Sequence, residues 1–408
     1  IRDIGVTGVQ TCALPISGLL NLEGTSADGL QVDGSTTVSS GGQIQLLGSR
    51  TMNVGGDFTL ETGGTVMLEK GTGMTIGGDY VGDGTLVIEA SDSDASTFAV
   101  TGSFTSSGST RIEAGTTLSA SSLVLTDGAI MEFDDLNLED ATTVVVDLQE
   151  GVSVGSGAQL FGSGVINLNL GGGDEDFTVA GGGILSAGAI GATQGLLEIT
   201  GGDLVTESDS VLRFGVNGDI AQATNGIGES SIIDVAGEVV FENGTRLEVD
   251  VQQGAYIPTS PTQGIAGGLE FVLLEADDFV NSGGIDLEAG SPSITRDWIF
   301  EVEDNAGGPD RILASSTADY TNTLSGNQFA IGELLNSFRE PANFDPTGVY
   351  GSLLGQLDAI STASAYQAAI LGLEPTAQIS AIQTAALSQY HRSEEHTSEL
   401  QSRQYLVC

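Results

Sequence analysis

The sequence predicts a mainly β protein: a right-handed parallel β-helix, or solenoid, over residues 17–320, followed by a short α-helical linker over 321–391. Three observations predict it. A seven-residue motif repeats, a glycine marker recurs in phase with it, and 60 glycines accompany 39% apolar but only 5% aromatic residues. That composition suits many short strands and turns rather than one large interlocked core. It is also too apolar for a disordered acidic tail.

The motif is Met52-Asn53-Val54-Gly55-Gly56-Asp57-Phe58, which returns as Met74-Thr75-Ile76-Gly77-Gly78-Asp79-Tyr80. Weaker copies start at Val32 and Val100. Gly42, Gly64, Gly84, Gly108 and Gly128 each precede a short apolar strand. The spacing, roughly 20–24 residues, is that of a solenoid. Thr65–Glu69 and Thr85–Glu89 alternate with period two, and Gly-Gly, Asp-Gly and Ser-Gly pairs separate such strands. One repeat cannot bury its own apolar face, but stacked repeats can. Inward positions should hold Val, Ile and Leu, and outward positions Thr, Ser, Asp and Glu.

From Gly181 the rhythm loosens, yet strands are predicted at 196–199, 211–214, 232–235, 239–241, 247–249 and 271–274. Beyond about residue 315 the period becomes helical. Ser325 and Gln328 fit the N-cap and N3 of a capping box before Ile331, Leu334, Leu335 and Phe338. Leu353, Leu354, Leu357 and Ile360 suggest a second helix, Ala365–Leu373 a third, and Pro375 to Tyr390 a fourth.

Both ends resemble something other than protein-coding sequence. RSEEHTSELQS, Arg392–Ser402, reads as translated sequencing-adapter DNA, and VTGVQTCALPI, Val6–Ile16, as its reverse complement. Ile1-Arg2-Asp3 and Leu406-Val407-Cys408 fit the outer adapter. Residues 1–16 and 392–408 are therefore expected to be adapter-derived, and 17–391 an internal fragment. Both cysteines, Cys12 and Cys408, fall in these flanks, which leaves no disulfide or thiolate site in 17–391. The formal charge of −44 makes nucleic acid and anionic membrane poor partners.

Residues 17–391 resemble the passenger and linker of a type V autotransporter of Gram-negative bacteria. The resemblance lies in ILSAGAIGATQGLLEITGGDLVTESDSVLRFGVNG (184–218), SSIIDVAGEVVFENGTRLEVDV (230–251), LEFVLLEADDFVNSGG (269–284) and ASAYQAAILGLEPTAQISAIQTAALSQYHR (363–392). Where the family often has Pro-Gly-Asn-Ser-Pro-Gly, this chain has Gly188–Thr193. The resemblance implies a non-enzymatic passenger over 17–320. It would be anchored at the cell surface by an outer-membrane β-barrel after 321–391, and would act in adhesion, autoaggregation or biofilm formation. Implied partners are that barrel, surface glycans and further copies of the chain.

Candidate chemistry is sparse. His391 is the only histidine outside the flanks, so no Ser-His-Asp triad can form in 17–391. Asp134-Asp135, Asp174-Glu175-Asp176 and Asp277-Asp278 could serve a polysaccharide lyase or hydrolase, or could simply decorate solvated turns. Asp92-Ser93-Asp94 and Gly171–Asp176 offer oxygen ligands for weak Ca2+ binding at most, and no other cofactor is expected. Tyr80, Trp298 and Phe300 are either exposed aromatics for sugar contact or, for Trp298 and Phe300, packing in the last coils. Ile379, Ile382 and Leu387 either line a pore or pack an ordinary amphipathic helix.

Overall fold

A computed structural model describes residues 14–23, 29–91, 94–134, 143–168, 175–188, 195–216, 229–251, 270–281, 286–289, 293–305, 307–337, 349–358 and 360–373. It forms two compact units, one built mainly from residues 1–257, 268–291 and 298–316, the other from 258–267, 292–297 and 317–408.

The first unit is a parallel β-solenoid whose coils each contribute strands to three tracks. On the first track lie Gln43–Leu46, Thr65–Leu68, Thr85–Ile88, Ser109–Glu113 and Ile130–Asp134. They belong to an 11-stranded sheet, and each follows one of the predicted marker glycines. The second track holds Thr51–Val54, Gly73–Ile76 and Ser96–Val100, and the third Phe58–Leu60, Tyr80–Gly82 and Phe104–Ser106. The repeated motif sets the register. Met52 pairs with Met74 and Val54 with Ile76, and one track on, Phe58 pairs with Tyr80. Leu14–Ile16, within the stretch read as adapter-derived, pairs with Thr36–Val38. A short apolar segment extends an exposed sheet edge whatever DNA encodes it.

The loosened rhythm after Gly181 has a structural counterpart. Ser231–Phe241 is one strand of 11 residues. Its start pairs with Gly195–Thr200 and its end with Leu204–Thr206, so the second and third tracks merge there. Phe271–Val280 repeats this, with a register shift between Val235 and Glu238. Asp310–Ala318 then pairs antiparallel with Phe271–Val280.

The interior is a column. Each strand turns alternate side chains inward, and Val38, Leu60, Ile44, Val66, Leu86 and Ile112 are fully buried. Burying one such side chain is worth about 1.5–3 kcal/mol, and every coil repeats the gain. Aromatic residues join the aliphatic interior that the sequence predicts. Tyr80 is buried, stacked 5.8 Å from Phe58 and 4.4 Å from Phe104. A side chain at Gly82 would collide with its phenol, so the glycine makes room for the ring. Burial pushes the Tyr80 hydroxyl well above its ordinary range, with Asp83 adding. Its expected exposure is thereby overturned: its place in the third track is an inward one.

Turns stack as the strands do. Asp57 Oδ1 accepts the Asp79 backbone N–H at 3.1 Å, 22 residues on, and Asp79 Oδ1 accepts that of Ser103 at 2.9 Å. A Cβ at Gly78 would strike Asp57 Oδ1, which explains the recurrent Gly-Gly-Asp. At another corner, left-handed residues stack: Gly157 (φ 73°), Gly182 (φ 81°), Asp209 (φ 65°) and Gly244 (φ 92°). Each bonds to the next through backbone N–H and carbonyl groups.

The second unit contains α1 (Asn327–Ser337), α2 (Val349–Asp358) and α3 (Ala363–Leu373). α1 starts after Gly326 (φ 60°), and Gln328 donates to the Gln367 carbonyl at 3.3 Å. The predicted Ser325–Gln328 capping box is therefore not formed, because the start lies one residue later and Gln328 reaches across to α3. Thr362 caps α3 instead, its Oγ1 accepting the Ala365 N–H at 3.4 Å. Arg296 and Asp358 form a buried ion pair at 3.1 Å, and Thr295 Oγ1 donates to Asp358 at 2.6 Å. Tyr366 donates its hydroxyl to the Tyr320 carbonyl at 2.6 Å. The predicted fourth helix and Phe338 lie outside the described residues. No helix among the described residues is long and apolar enough to cross a membrane.

Two predictions test these contacts. Gly182→Ala should destabilise the solenoid by about 1–2 kcal/mol and Asp209→Gly should stabilise it by up to about 1 kcal/mol. Paired denaturant melts check the opposite signs. Asp358→Ala strands the buried Arg296 charge and should cost about 3–5 kcal/mol in the second unit. Hydrogen exchange should then accelerate in α2 while Phe58–Leu60 keeps its protection.

Candidate functional site

The solenoid offers ordered outer ranks, because a residue pointing outward in one coil lies over its equivalent in the next. On the third track the centre residues run in register from Thr37 through Thr59, Val81, Thr105 and Val124 to Ser153 and Thr178. All are uncharged, most are β-branched, and all are partly or, for Val81 at 43%, fully on the exposed side. β-Branched residues suit this half-covered pleated surface. At the Val124–Thr178 end of the rank lies a shallow open depression of about 350 Å³. Ser122, Ser153 and Thr178 contribute hydroxyls to it, and Glu150, Glu175 and Asp176 carboxylates.

Among the described residues the predicted acidic pairs are not gathered together. Asp134 ends a first-track strand and accepts Arg111 Nε at 2.9 Å, which gives it a structural ion pair. Glu175 and Asp176 reach the depression, while Asp174 and Asp135 lie outside the described residues. Asp277 and Asp278 are exposed on Phe271–Val280, and Asp278 accepts the Phe279 N–H at 2.7 Å. Asp92, Ser93, residues 171–174, Ile379, Ile382, Leu387 and His391 also lie outside the described residues. Among the described residues no group of three or more His, Cys, Asp or Glu could hold a metal ion. Trp298 and Phe300 are half-buried against the core, with Trp298 edge-on to Phe271 at 6.3 Å.

Reading along the chain missed acids that meet across coils. Glu198, Asp234 and Glu275 occupy equivalent positions in consecutive coils of the second track. Arg311 Nε donates to Glu275 at 2.8 Å. Burial raises the Asp234 carboxyl above its usual range, and the Glu275 and Asp277 charges raise it further. The sequence carries no signal for this column, because the coils between its members differ in length.

No protein-family model matches the sequence, and no curated protein matches it.

The raised Asp234 has a defined pH consequence. Above the ordinary carboxylate range the unfolded chain has lost a proton that the fold holds more tightly, so stability falls as pH rises through the folded value. Asp234→Asn removes that penalty. It should raise the melting temperature at pH 7, and the gain should disappear below about pH 3.5. Thermal melts across that interval check both parts.

Proposed function

We propose that the chain is the passenger stalk of a type V autotransporter, displayed on or released from a Gram-negative cell, and that it acts in adhesion, autoaggregation or biofilm formation. The observation that carries this reading is the in-register stack of coils presenting the same uncharged, hydroxyl-rich rank one after another. A surface of that kind makes many weak, equivalent contacts that add by avidity. The four stretches that resemble passenger and linker sequence support the export route. So does the absence of cysteine from 17–391, because a chain that crosses a barrel pore unfolded is obstructed by disulfides.

Stacked coils also suit such export. Each emerging coil finds its template in the one already folded, so folding needs no long-range search. The −44 formal charge keeps the unfolded chain from self-association during transit. A second reading, an extracellular polysaccharide lyase or hydrolase, draws on the depression that holds Glu175 and Asp176.

Display of the chain on a non-clumping Gram-negative cell distinguishes the two. The stalk reading expects faster cell sedimentation that is indifferent to Glu175→Gln with Asp176→Asn. Turnover of acidic or neutral glycans that this double change abolishes, without any clumping, would establish the enzyme reading in its place.

A further inference from the structure

Consecutive coils turn the same corner just before their first-track strands. Ile130, Gln159, Ile184, Val211 and Arg246 pair in register along that track. Two residues ahead of each stand Gly128, Gly157, Gly182, Asp209 and Gly244, all at positive φ between 65° and 92°. Three residues ahead stand Asp127, Ser156, Gly181, Ser208 and Asn243. The left-handed position is dictated by the corner and is filled by glycine in every coil but one. The position before it is not dictated, and its occupants share no chemistry. Asp127, Ser156, Ser208 and Asn243 are all exposed there.

One coil fills that position with asparagine, so the corner's own need for glycine creates an Asn-Gly pair. The Asn243 side chain is exposed, and its amide enters no hydrogen bond among the described residues. Gly244 follows at φ 92°, where another side chain would be strained and would meet Ser208 Oγ at 3.2 Å. The turn is closed from its flanks, the Thr245 N–H donating to the Glu242 carbonyl at 3.2 Å. That bond involves neither the Asn243 amide nor the Gly244 nitrogen. A labile side-chain amide thus lies next to a peptide nitrogen that carries no side chain beside it.

We infer that Asn243 is a site of self-modification in the folded chain. The Gly244 nitrogen attacks the Asn243 Cγ. A bond forms between those two atoms, the Cγ–Nδ2 bond breaks, and the proton of the Gly244 nitrogen departs with the side-chain nitrogen as ammonia. Water then opens the cyclic imide. Attack at the side-chain carbonyl gives aspartate, and attack at the main-chain carbonyl gives isoaspartate. Either product adds a carboxylate. Ring closure joins adjacent residues, so no other part of the solenoid has to move. Coil equivalence separates the two products. Aspartate reproduces the Asp127–Gly128 pair that this corner already carries. Isoaspartate runs the main chain through the side chain and lengthens it by a methylene group. The Gly244 carbonyl, which accepts the Asp209 N–H at 3.1 Å, is then displaced and the corner loosens. On a stalk displayed outside the cell no intracellular enzyme reverses the change, so the products accumulate with age. That consequence rests on the surface-display reading; the chemistry does not.

The test holds the full chain folded in mildly alkaline buffer, digests samples at intervals and locates lost amides by fragmentation mass spectrometry. The Asn243 amide is expected to convert to acid, in two products that separate by chromatography. Asn53 and Asn305, followed by Val54 and Ala306, should keep their amides over the same interval. Asn243→Ser copies the residue that the corner carries at Ser156 and Ser208, so circular dichroism should be unchanged while conversion at this position is abolished. After equal ageing, the melting temperature should fall in the unsubstituted chain by more than in Asn243→Ser. Retention of the Asn243 amide in the folded chain, whether or not urea-unfolded chain loses it, overturns the inference. Conversion with equal melting losses in both chains overturns the loosened corner. Clumping of cells that display the chain bears on the display reading alone, so the two fail separately.

Discussion

Everything in the solenoid depends on one constraint: a coil has no core of its own. Its apolar residues are covered only when the coils above and below supply the same surface in the same register. Parallel pairing enforces that match, since a slip of one residue would turn every inward side chain outward. Phe58, Tyr80 and Phe104 show the consequence, with three aromatic rings one above another at equivalent positions in consecutive coils. The matching that fills the interior also orders the exterior. A rank such as Thr59–Val81–Thr105 is therefore a by-product of core register, available for use without further stabilisation.

Turns obey the same rule with less freedom. At the corner between the second and third tracks, the Asp carboxylate of one coil occupies the space that a side chain of the next would need. Glycine there removes the clash, and the carboxylate in return satisfies a backbone N–H that the corner leaves without a strand partner. Gly-Gly-Asp is thus one device spread over two coils. Asp209 marks where the other corner tolerates a departure. A left-handed backbone costs an aspartate less than most residues, and its glycine neighbours above and below hold the shape.

Much of this was legible in the sequence, and the limits are physical. The Met52–Phe58 and Met74–Tyr80 copies differ by conservative changes at matched positions, so their alignment carries the repeat spacing, and the structure pairs the same positions. The marker glycines placed the first-track strands as far as Ile130–Asp134. Where coil length varies, the repeat no longer marks equivalent positions: Glu198, Asp234 and Glu275 come together through second-track register across coils of unequal length, and no local pattern announces that. Tyr80 was ambiguous because a tyrosine at an alternating position can face either way until its coil is stacked. Adjacency along the chain groups acids one way, whereas a solenoid groups them by equivalence between coils. Asp57, Asp79 and Glu61, Asp83 are neighbours only in that second sense.

Equivalence also carries an electrostatic cost that bears on what such a surface can do. Stacking like charges about 4.8 Å apart is unfavourable, and the chain holds 55 acidic residues against 11 basic ones. It is bearable where the carboxylates are exposed, because water and salt screen them. It is less so at Asp234, where partial burial weakens the screening and the carboxyl is pushed toward its neutral form. Asp57, Asp79, Glu61 and Asp83 are of the exposed kind, held in neighbouring positions by backbone register. The more regular the stack, the closer equivalent charges are held to one another, so the order that builds the core also sets the charge pattern of the surface.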